Sequence, residues 1–140
     1  MYPAGQSILV IDNDAARRRS VEQILAAEGF TVTAVGEGLS ALRAAQQERF
    51  ALAIAALGLP GTLDGVATVR QARSRQPWLR ALFVVAPGEA PRRDSPDRDD
   101  TITAPLVRHE LLGCVFELLQ RETFPGADLA RRWRVELHAS

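Results

Sequence analysis

The chain has 140 residues, 46% of them apolar and 24% charged, which is the balance of one soluble globular domain. Its 17 basic residues match its 17 acidic residues, so net charge gives no reason to expect nucleic acid or a membrane as a partner. All the basic residues are arginine, which excludes a catalytic or Schiff-base lysine.

Targeting signals are absent from the sequence as given. The N-terminal residues lack the basic-then-apolar pattern of a signal peptide, and no apolar run approaches the roughly 18 residues of a membrane span. A single cysteine, Cys114, excludes a disulfide framework and a cysteine-based metal site. These features predict a cytoplasmic protein.

Strand and helix patterns alternate through the first half of the chain. The predicted elements are a strand from Ser7 to Ile11, a helix from Ala15 to Glu28, a strand from Phe30 to Val35 and a helix from Leu39 to Glu48. Asp14 is predicted to cap the first helix, because its carboxylate can accept backbone N–H groups of the first turn. Gly29 supplies a left-handed stop after that helix.

The third strand is apolar throughout and is predicted to be buried on both faces. It runs from Phe50 to Ala56 and is followed by Leu57-Gly58-Leu59-Pro60-Gly61. In open parallel sheets, ligands and chemistry gather beyond the carboxyl ends of the strands. The last strand residue, Ala56, therefore occupies the place where a reactive side chain is expected.

The second half begins with the same alternation and then departs from it. Further predicted elements are a helix after Asp64-Gly65 that ends before Pro77, a strand from Arg80 to Ala86, a short strand from Thr101 to Ala104 and a helix from Leu106 to Arg121. Asp64 is predicted to cap the third helix. The intervening residues 87–100 are polar and proline-rich, so they are predicted to form a loop, and a helix there is weak or missing.

The repeated strand–helix order predicts an α/β fold with a parallel sheet and helices on both faces. The predicted division is a domain over residues 1–121 and a C-terminal extension over residues 122–140. In the extension, the four-residue spacing of Leu129, Trp133 and Leu137 favours a helix, although the alternation of Trp133, Val135 and Leu137 also suits a strand.

Three motifs on these elements resemble the response-regulator (CheY-like) receiver family of bacterial two-component signalling. They are Ile8-Leu9-Val10-Ile11-Asp12-Asn13-Asp14, Leu57-Gly58-Leu59-Pro60-Gly61 followed by Asp64-Gly65, and Ala104-Pro105. The resemblance covers roughly residues 6–121 and implies a flavodoxin-like, doubly wound, five-stranded parallel sheet. In that family an acid at the end of the third strand accepts a phosphoryl group from a histidine kinase, with Mg²⁺ and a lysine stabilising the transfer.

Carried onto this chain, the resemblance implies a degenerate site. The acceptor position falls on Ala56, and the acidic pair after the first strand falls on Asp12 and Asn13. The family's lysine falls on Ala104, its switch Ser/Thr on Val85 and its switch aromatic on Thr101. Pro105 stands where the family has a proline that follows a cis bond. This pattern predicts a pseudo-receiver that kept the scaffold and lacks the phosphorylation chemistry.

Asp12 and Asp14, with the carbonyl of Gly58, remain candidate ligands for a divalent ion, but Asn13 and Ala56 leave too few oxygen ligands for Mg²⁺. The expectation is therefore no cofactor, with Asp14 as a helix cap and Asp12 as a solvated remnant. Arg17, Arg18 and Arg19 are expected to form a solvated helix face, because no aromatic residue is interleaved with them.

The predicted function is a non-enzymatic signalling module that acts through protein contacts with a histidine kinase, another regulator or a second copy. Interface candidates are Leu129, Arg131, Trp133 and Leu137, since Trp and Arg are enriched in interface hot spots. Two alternatives stay open: a phospho-receiver that uses Asp12 or Asp64, and an unrelated doubly wound ligand-binding domain. The ligand-binding alternative is disfavoured because no glycine-rich phosphate loop follows the first strand.

Overall fold

In a computed structural model, which describes residues 6–89 and 99–120, strands and helices alternate as the sequence predicts. The elements are β1 (Ser7–Ile11), α1 (Ala15–Ala27), β2 (Thr31–Val35), α2 (Gly38–Gln47), β3 (Leu52–Ala56), α3 (Gly65–Ala72), β4 (Arg80–Val85), β5 (Asp99–Thr103) and α4 (Arg108–Gln120). Predicted and observed ends differ by one or two residues at most of these elements, which is the usual uncertainty of fraying ends.

The five strands form one parallel sheet in the order β2-β1-β3-β4-β5. The doubly wound α/β fold predicted from the sequence is thereby confirmed. β3 lies in the middle of the sheet, and all five of its residues are buried. Because every strand runs in the same direction, the carboxyl ends of all five strands meet at one edge, which we call the carboxyl edge.

Two apolar clusters cover the faces of the sheet. One face packs against α2 and α3 through Leu9, Ala53, Ala55, Phe83 and their neighbours. The other packs against α1 and α4 through Ile8, Val10, Ile54, Leu82 and their neighbours. The β3 side chains that face α2 and α3 are therefore small ones, Ala53 and Ala55.

The approach of α3 to the end of β3 leaves no room for a side chain at Gly65. The backbone N–H of Gly65 donates to the carbonyl of Leu57 at 3.1 Å. A Cβ atom on Gly65 would lie 2.2 Å from the carbonyl oxygen of Ala56, a distance that real Cβ atoms do not adopt. Glycine at the first residue of α3 is thus a packing requirement.

One buried amide ties α2, β3 and the loop before β4 together. Gln76 is 4% exposed. Its Oε1 accepts from the N–H of Phe50 at 2.8 Å, and its Nε2 donates to the carbonyls of Ala45 at 2.9 Å and Glu48 at 2.8 Å. These three bonds satisfy backbone groups at the end of α2 and just before β3, where no ladder or helix supplies partners.

β5 begins at Asp99, whereas the sequence predicted loop up to residue 100. Its pairing with β4, from Ala81–Asp99 to Val85–Thr103, recruits the two aspartates into the strand. Thr101 and Thr103 pair with Phe83 and Val85, so they lie on the α2/α3 side of the sheet. Thr101 is half-buried and Thr103 exposed, so this part of the edge strand shows polar side chains.

Between β4 and β5, residues 86–89 form a turn in which the N–H of Glu89 donates to the carbonyl of Ala86 and Gly88 has a φ of 84°. The rest of the proline-rich segment and the C-terminal extension, residues 90–98 and 121–140, lie outside the described residues. Within the described ranges, no helix combines the length and apolar character needed to cross a bilayer.

Candidate functional site

The carboxyl edge brings the residues after β1 and at the end of β3 side by side. Ile11 pairs with Ala55, so the next residues, Asp12 and Ala56, are neighbours on adjacent strands. Ala56 in turn pairs with Val84 of β4. This is the edge at which ligands bind in open parallel sheets.

Ala56 is 3% exposed and presents a methyl group at the end of the central strand. It packs within the cluster that joins the sheet to α2 and α3. A methyl group has no lone pair and no exchangeable proton. It therefore offers neither a nucleophile nor a metal ligand at this place.

Asp12 is 3% exposed, so the expectation of a solvated remnant is wrong. Its Oδ2 accepts from Arg17 Nε at 2.5 Å, and its Oδ1 accepts from Arg17 Nη2 at 2.9 Å and from the N–H of Asp14 at 2.9 Å. A buried carboxylate persists only with a charged partner and hydrogen bonds. Both oxygens of Asp12 are engaged by N–H donors from its own chain.

The arginine run does not form one solvated face, which corrects the second expectation about this loop. Arg17 donates hydrogen bonds to the Asp12 side chain, and Arg18 Nη1 donates to the Asp12 carbonyl at 2.8 Å. The Arg18 guanidinium also lies beside Gly36, where a Cβ would be 3.2 Å from Nη1. Arg19 alone of the three is exposed. Successive helical residues point about 100° apart, so three in a row cannot share one face.

The hydrogen bonding that Arg17 donates to Asp12 raises the pKa of Arg17 above its ordinary value, and the charges of Asp12, Asp14 and Glu89 raise it further, although burial works in the opposite direction. An arginine is already protonated at any physiological pH. Arg17 is therefore a permanent positive charge at the carboxyl edge.

Asp14 and Asp64 stand at the starts of α1 and α3. Asp14 Oδ1 accepts from the N–H of Arg17 at 3.0 Å, and Asp64 Oδ1 accepts from the N–H of Ala67 at 2.8 Å. Each carboxylate thus satisfies an N–H of the first helical turn, in N-cap geometry.

Glu89 reaches the same edge from the turn after β4. Its Oε1 accepts from the N–H of Ala86 at 2.9 Å. Its Oε2 is 3.1 Å from the position that a Cβ on Gly58 would take, so the carboxylate lies over the loop that follows β3. Across the described ranges 6–89 and 99–120, no three His, Cys, Asp or Glu side chains are grouped so that they could hold a metal ion.

A family model described as the response regulator receiver domain matches residues 8–104, which include all of the sheet except the first residue of β1, Ser7. This chain belongs to the response regulator receiver family.

Curated relatives are similar over most of this receiver. The transcriptional regulatory protein GltR of Pseudomonas aeruginosa is 30% identical over 149 residues, covering 97% of this chain and 60% of the relative. The response regulator MprA of Mycobacterium ulcerans is 32% identical over 117 residues, covering 81% of this chain and 50% of the relative. The chain thus spans about half to three-fifths of the length of these two proteins.

Solved receivers share the architecture. A CheY-like receiver domain protein from Methanospirillum hungatei is 27% identical with a TM-score of 0.73, covering 83% of this chain and 94% of that one. A receiver protein from Sinorhizobium medicae gives a TM-score of 0.74 at 23% identity, over 82% of this chain and 94% of that one, which shows the common fold.

The other predicted receiver positions lie around the same edge. Val85 ends β4 and is 1% exposed, and its carbonyl accepts from the N–H of Ala104 at 2.8 Å. Ala104 is 7% exposed, and the Ala104–Pro105 bond is cis. Thr101 lies in the body of β5, farther from the edge. Among the residues described, the polar side-chain contacts at the carboxyl edge are made by Asp12, Asp14, Arg17, Arg18, Asp64 and Glu89.

Sequence reasoning missed Arg17, Arg18 and Glu89 as parts of the site. For the arginines the sequence held a usable signal, because residues in the first turn of a helix that directly follows a strand lie close to the end of that strand. Glu89 carried no such signal, since its position depends on the turn at Pro87-Gly88. The interface candidates Leu129, Arg131, Trp133 and Leu137 lie outside the described residues.

Proposed function

We propose that this receiver acts in two-component signalling through protein contacts alone and does not accept a phosphoryl group. The observation that carries the proposal is the buried methyl group of Ala56 at the end of β3. Phosphoryl transfer to a receiver requires a nucleophilic oxygen there, and alanine has none.

The residues around Ala56 support the same proposal. Asn13 is a neutral amide whose side chain is exposed, and Ala104 supplies no cation. The sequence contains no lysine that could steady a transferring phosphoryl group from another position. Val85 supplies no hydroxyl at the end of β4. Each substitution removes a different part of the chemistry, so no single reversion restores it.

Asp12 and Asp64, the alternative acceptors, are poorly suited to attack phosphorus. A carboxylate attacks through an oxygen lone pair, and the Asp12 oxygens accept three hydrogen bonds from Arg17 and Asp14. Asp64 Oδ1 caps α3. The alternative of an unrelated ligand-binding domain is set aside by the family match over residues 8–104.

We expect no phosphorylation of the chain as it stands. Incubation with acetyl phosphate and Mg²⁺, followed by intact mass spectrometry, should show no gain of one phosphoryl group, because no oxygen nucleophile lies at position 56. A receiver with aspartate at the acceptor position is the positive control. A stable phosphoryl adduct that maps to Asp12 or Asp64 would overturn the proposal.

A protein is the partner we propose, namely a histidine kinase, another regulator or a second copy of the chain, and the cytoplasm remains the predicted compartment. The transcriptional regulatory protein GltR and the response regulator MprA are both longer than this chain, which spans 60% and 50% of their lengths. A role within a longer protein is therefore also compatible with this proposal. We propose further that residues 122–140 extend the 1–121 domain and make contacts through Leu129, Arg131, Trp133 and Leu137.

Deleting residues 122–140 is expected to lower either the melting temperature or the affinity for a co-purifying kinase or regulator. A loss of several degrees indicates packing on the domain itself, and an unchanged melting temperature with weaker binding indicates a partner surface. Trp133→Ala should reproduce most of the effect, because buried aromatics dominate such contacts. If both quantities stay unchanged, the extension has no such role.

A further inference from the structure

The residues of the carboxyl edge do not fit the Mg²⁺ ion that receiver chemistry implies. Mg²⁺ requires octahedral oxygen ligands, among them one or two carboxylates free to bind it. Among the residues described, Asp12 is the sole buried charged side chain, and its oxygens are occupied by N–H donors. Ala56 adds no oxygen ligand, and the Asn13 and Asp14 side chains are exposed.

We propose that the guanidinium of Arg17 is the built-in cation of this site, taking the place beside Asp12 that a divalent ion would need. The inference rests on the proposed function, because a receiver that never takes a phosphoryl group has no use for an exchangeable metal.

The contact between Arg17 and Asp12 has the geometry of a bidentate guanidinium–carboxylate pair. Nε and Nη2 of Arg17 each donate to a different oxygen of Asp12, at 2.5 and 2.9 Å. The side chains of Arg17 and Asp12 are 21% and 4% exposed, so water has little access to the contact. Paired parallel bonds of this kind are among the strongest that a carboxylate makes in proteins.

The start of α1 holds Arg17 in this orientation. Its backbone N–H donates to Asp14 Oδ1 at 3.0 Å, while its side chain reaches back to Asp12. The N–H of Asp14 donates to Asp12 Oδ1 at 2.9 Å, so the loop between β1 and α1 is held by a hydrogen bond between two of its own residues. Arg17 is thus tied through both its backbone and its side chain.

A second acid, Glu89 in the turn after β4, acts electrostatically on this guanidinium. Glu89, fixed by the N–H of Ala86 and lying over Gly58, adds an attractive charge to Arg17. The guanidinium is therefore paired with the carboxylate after β1 and attracted by the charge of a second carboxylate from the turn after β4. A divalent ion would have to displace a cation that is part of the protein chain. The ion loses translational freedom when it binds, whereas the Arg17 side chain does not, and this difference favours Arg17.

Manganese binding to restored sites tests this assignment. Asn13→Asp with Ala56→Asp rebuilds the missing carboxylates, and Mn²⁺ binding is followed by the loss of the free-ion electron paramagnetic resonance signal. With Arg17 present we expect weak binding, and adding Arg17→Gln should tighten it by about tenfold or more. Arg19→Gln on the same background is the matched control, because Arg19 is exposed on the same helix.

Equal Mn²⁺ affinity with and without Arg17, or an equal gain from Arg19→Gln, overturns the proposal. If the doubly restored variants do not fold, Asn13→Asp alone, a change at an exposed position, is compared with and without Arg17→Gln. Mn²⁺ should raise the melting temperature more when Arg17 is absent, because Asp12 then lacks its cation, and an equal rise contradicts the proposal. Mn²⁺ affinity does not depend on phosphorylation. A phosphoryl adduct on the unaltered chain would therefore reject the proposed function, whereas only the Mn²⁺ measurements decide the role of Arg17.

Discussion

Gly65→Ala is expected to lower the free energy of unfolding by about 3 kcal/mol, the upper range for forcing an atom into a packed site. The added Cβ would lie 2.2 Å from the Ala56 carbonyl oxygen and 2.9 Å from its carbonyl carbon. Both atoms belong to the central strand, so the clash cannot be relieved by rotating a side chain. Urea denaturation followed by circular dichroism measures the loss.

Gly113→Ala is the matched control for this substitution. Gly113 is exposed within α4, and a Cβ there would meet no atom within 4 Å. Because alanine favours helix over glycine by about 1 kcal/mol, this variant should be as stable as the parent or more stable. A Gly65→Ala protein that unfolds at the same urea concentration as the parent would contradict the packing described here.

Gln76→Ala should cost about 3 kcal/mol, since three buried backbone groups lose their partners and each unsatisfied group costs roughly 1–3 kcal/mol before relaxation. The groups left behind are the N–H of Phe50 and the carbonyls of Ala45 and Glu48. The urea midpoint should fall with little change in slope, because the fold itself is kept.

Gln76→Glu separates the hydrogen bonds from the volume of the side chain. Glutamate keeps an acceptor for the Phe50 N–H but replaces the amide nitrogen, which donates both other bonds, with an oxygen that faces the carbonyls of Ala45 and Glu48. It should therefore destabilise the protein despite its similar size. Gln71→Ala, at an exposed position on α3, should change stability by less than about 0.5 kcal/mol. Equal effects of the Gln71 and Gln76 substitutions would refute the role assigned to the buried amide.

The fold could be predicted from local patterns because each pattern has one physical cause. A continuous apolar run between Phe50 and Ala56 is stable only where both faces are covered, and β3 lies in that position. Gly29 ends the first helix with a φ of 93°, a conformation that glycine adopts without strain. Such signals are complete within a few residues of sequence.

The chemistry of the edge was less predictable, because it depends on partners that only the fold reveals. Asp12 was expected to be solvated, since no sequence feature states that Arg17 turns back toward it. Gln76 bonds to residues 26 to 31 positions away, and no periodicity marks such a contact. Polar side chains that cross between elements are therefore where pattern reasoning fails first.

The pairing of Arg17 with Asp12 also bears on how this lineage can evolve. Every alanine codon is one base away from an aspartate or a glutamate codon, so an acid at position 56 is a short mutational step. That acid would arrive in a site where Ala56 is now 3% exposed and where the neighbouring carboxylate already holds the guanidinium. Gaining that acid is therefore expected to destabilise the fold until the pairing of Asp12 with Arg17 is also changed.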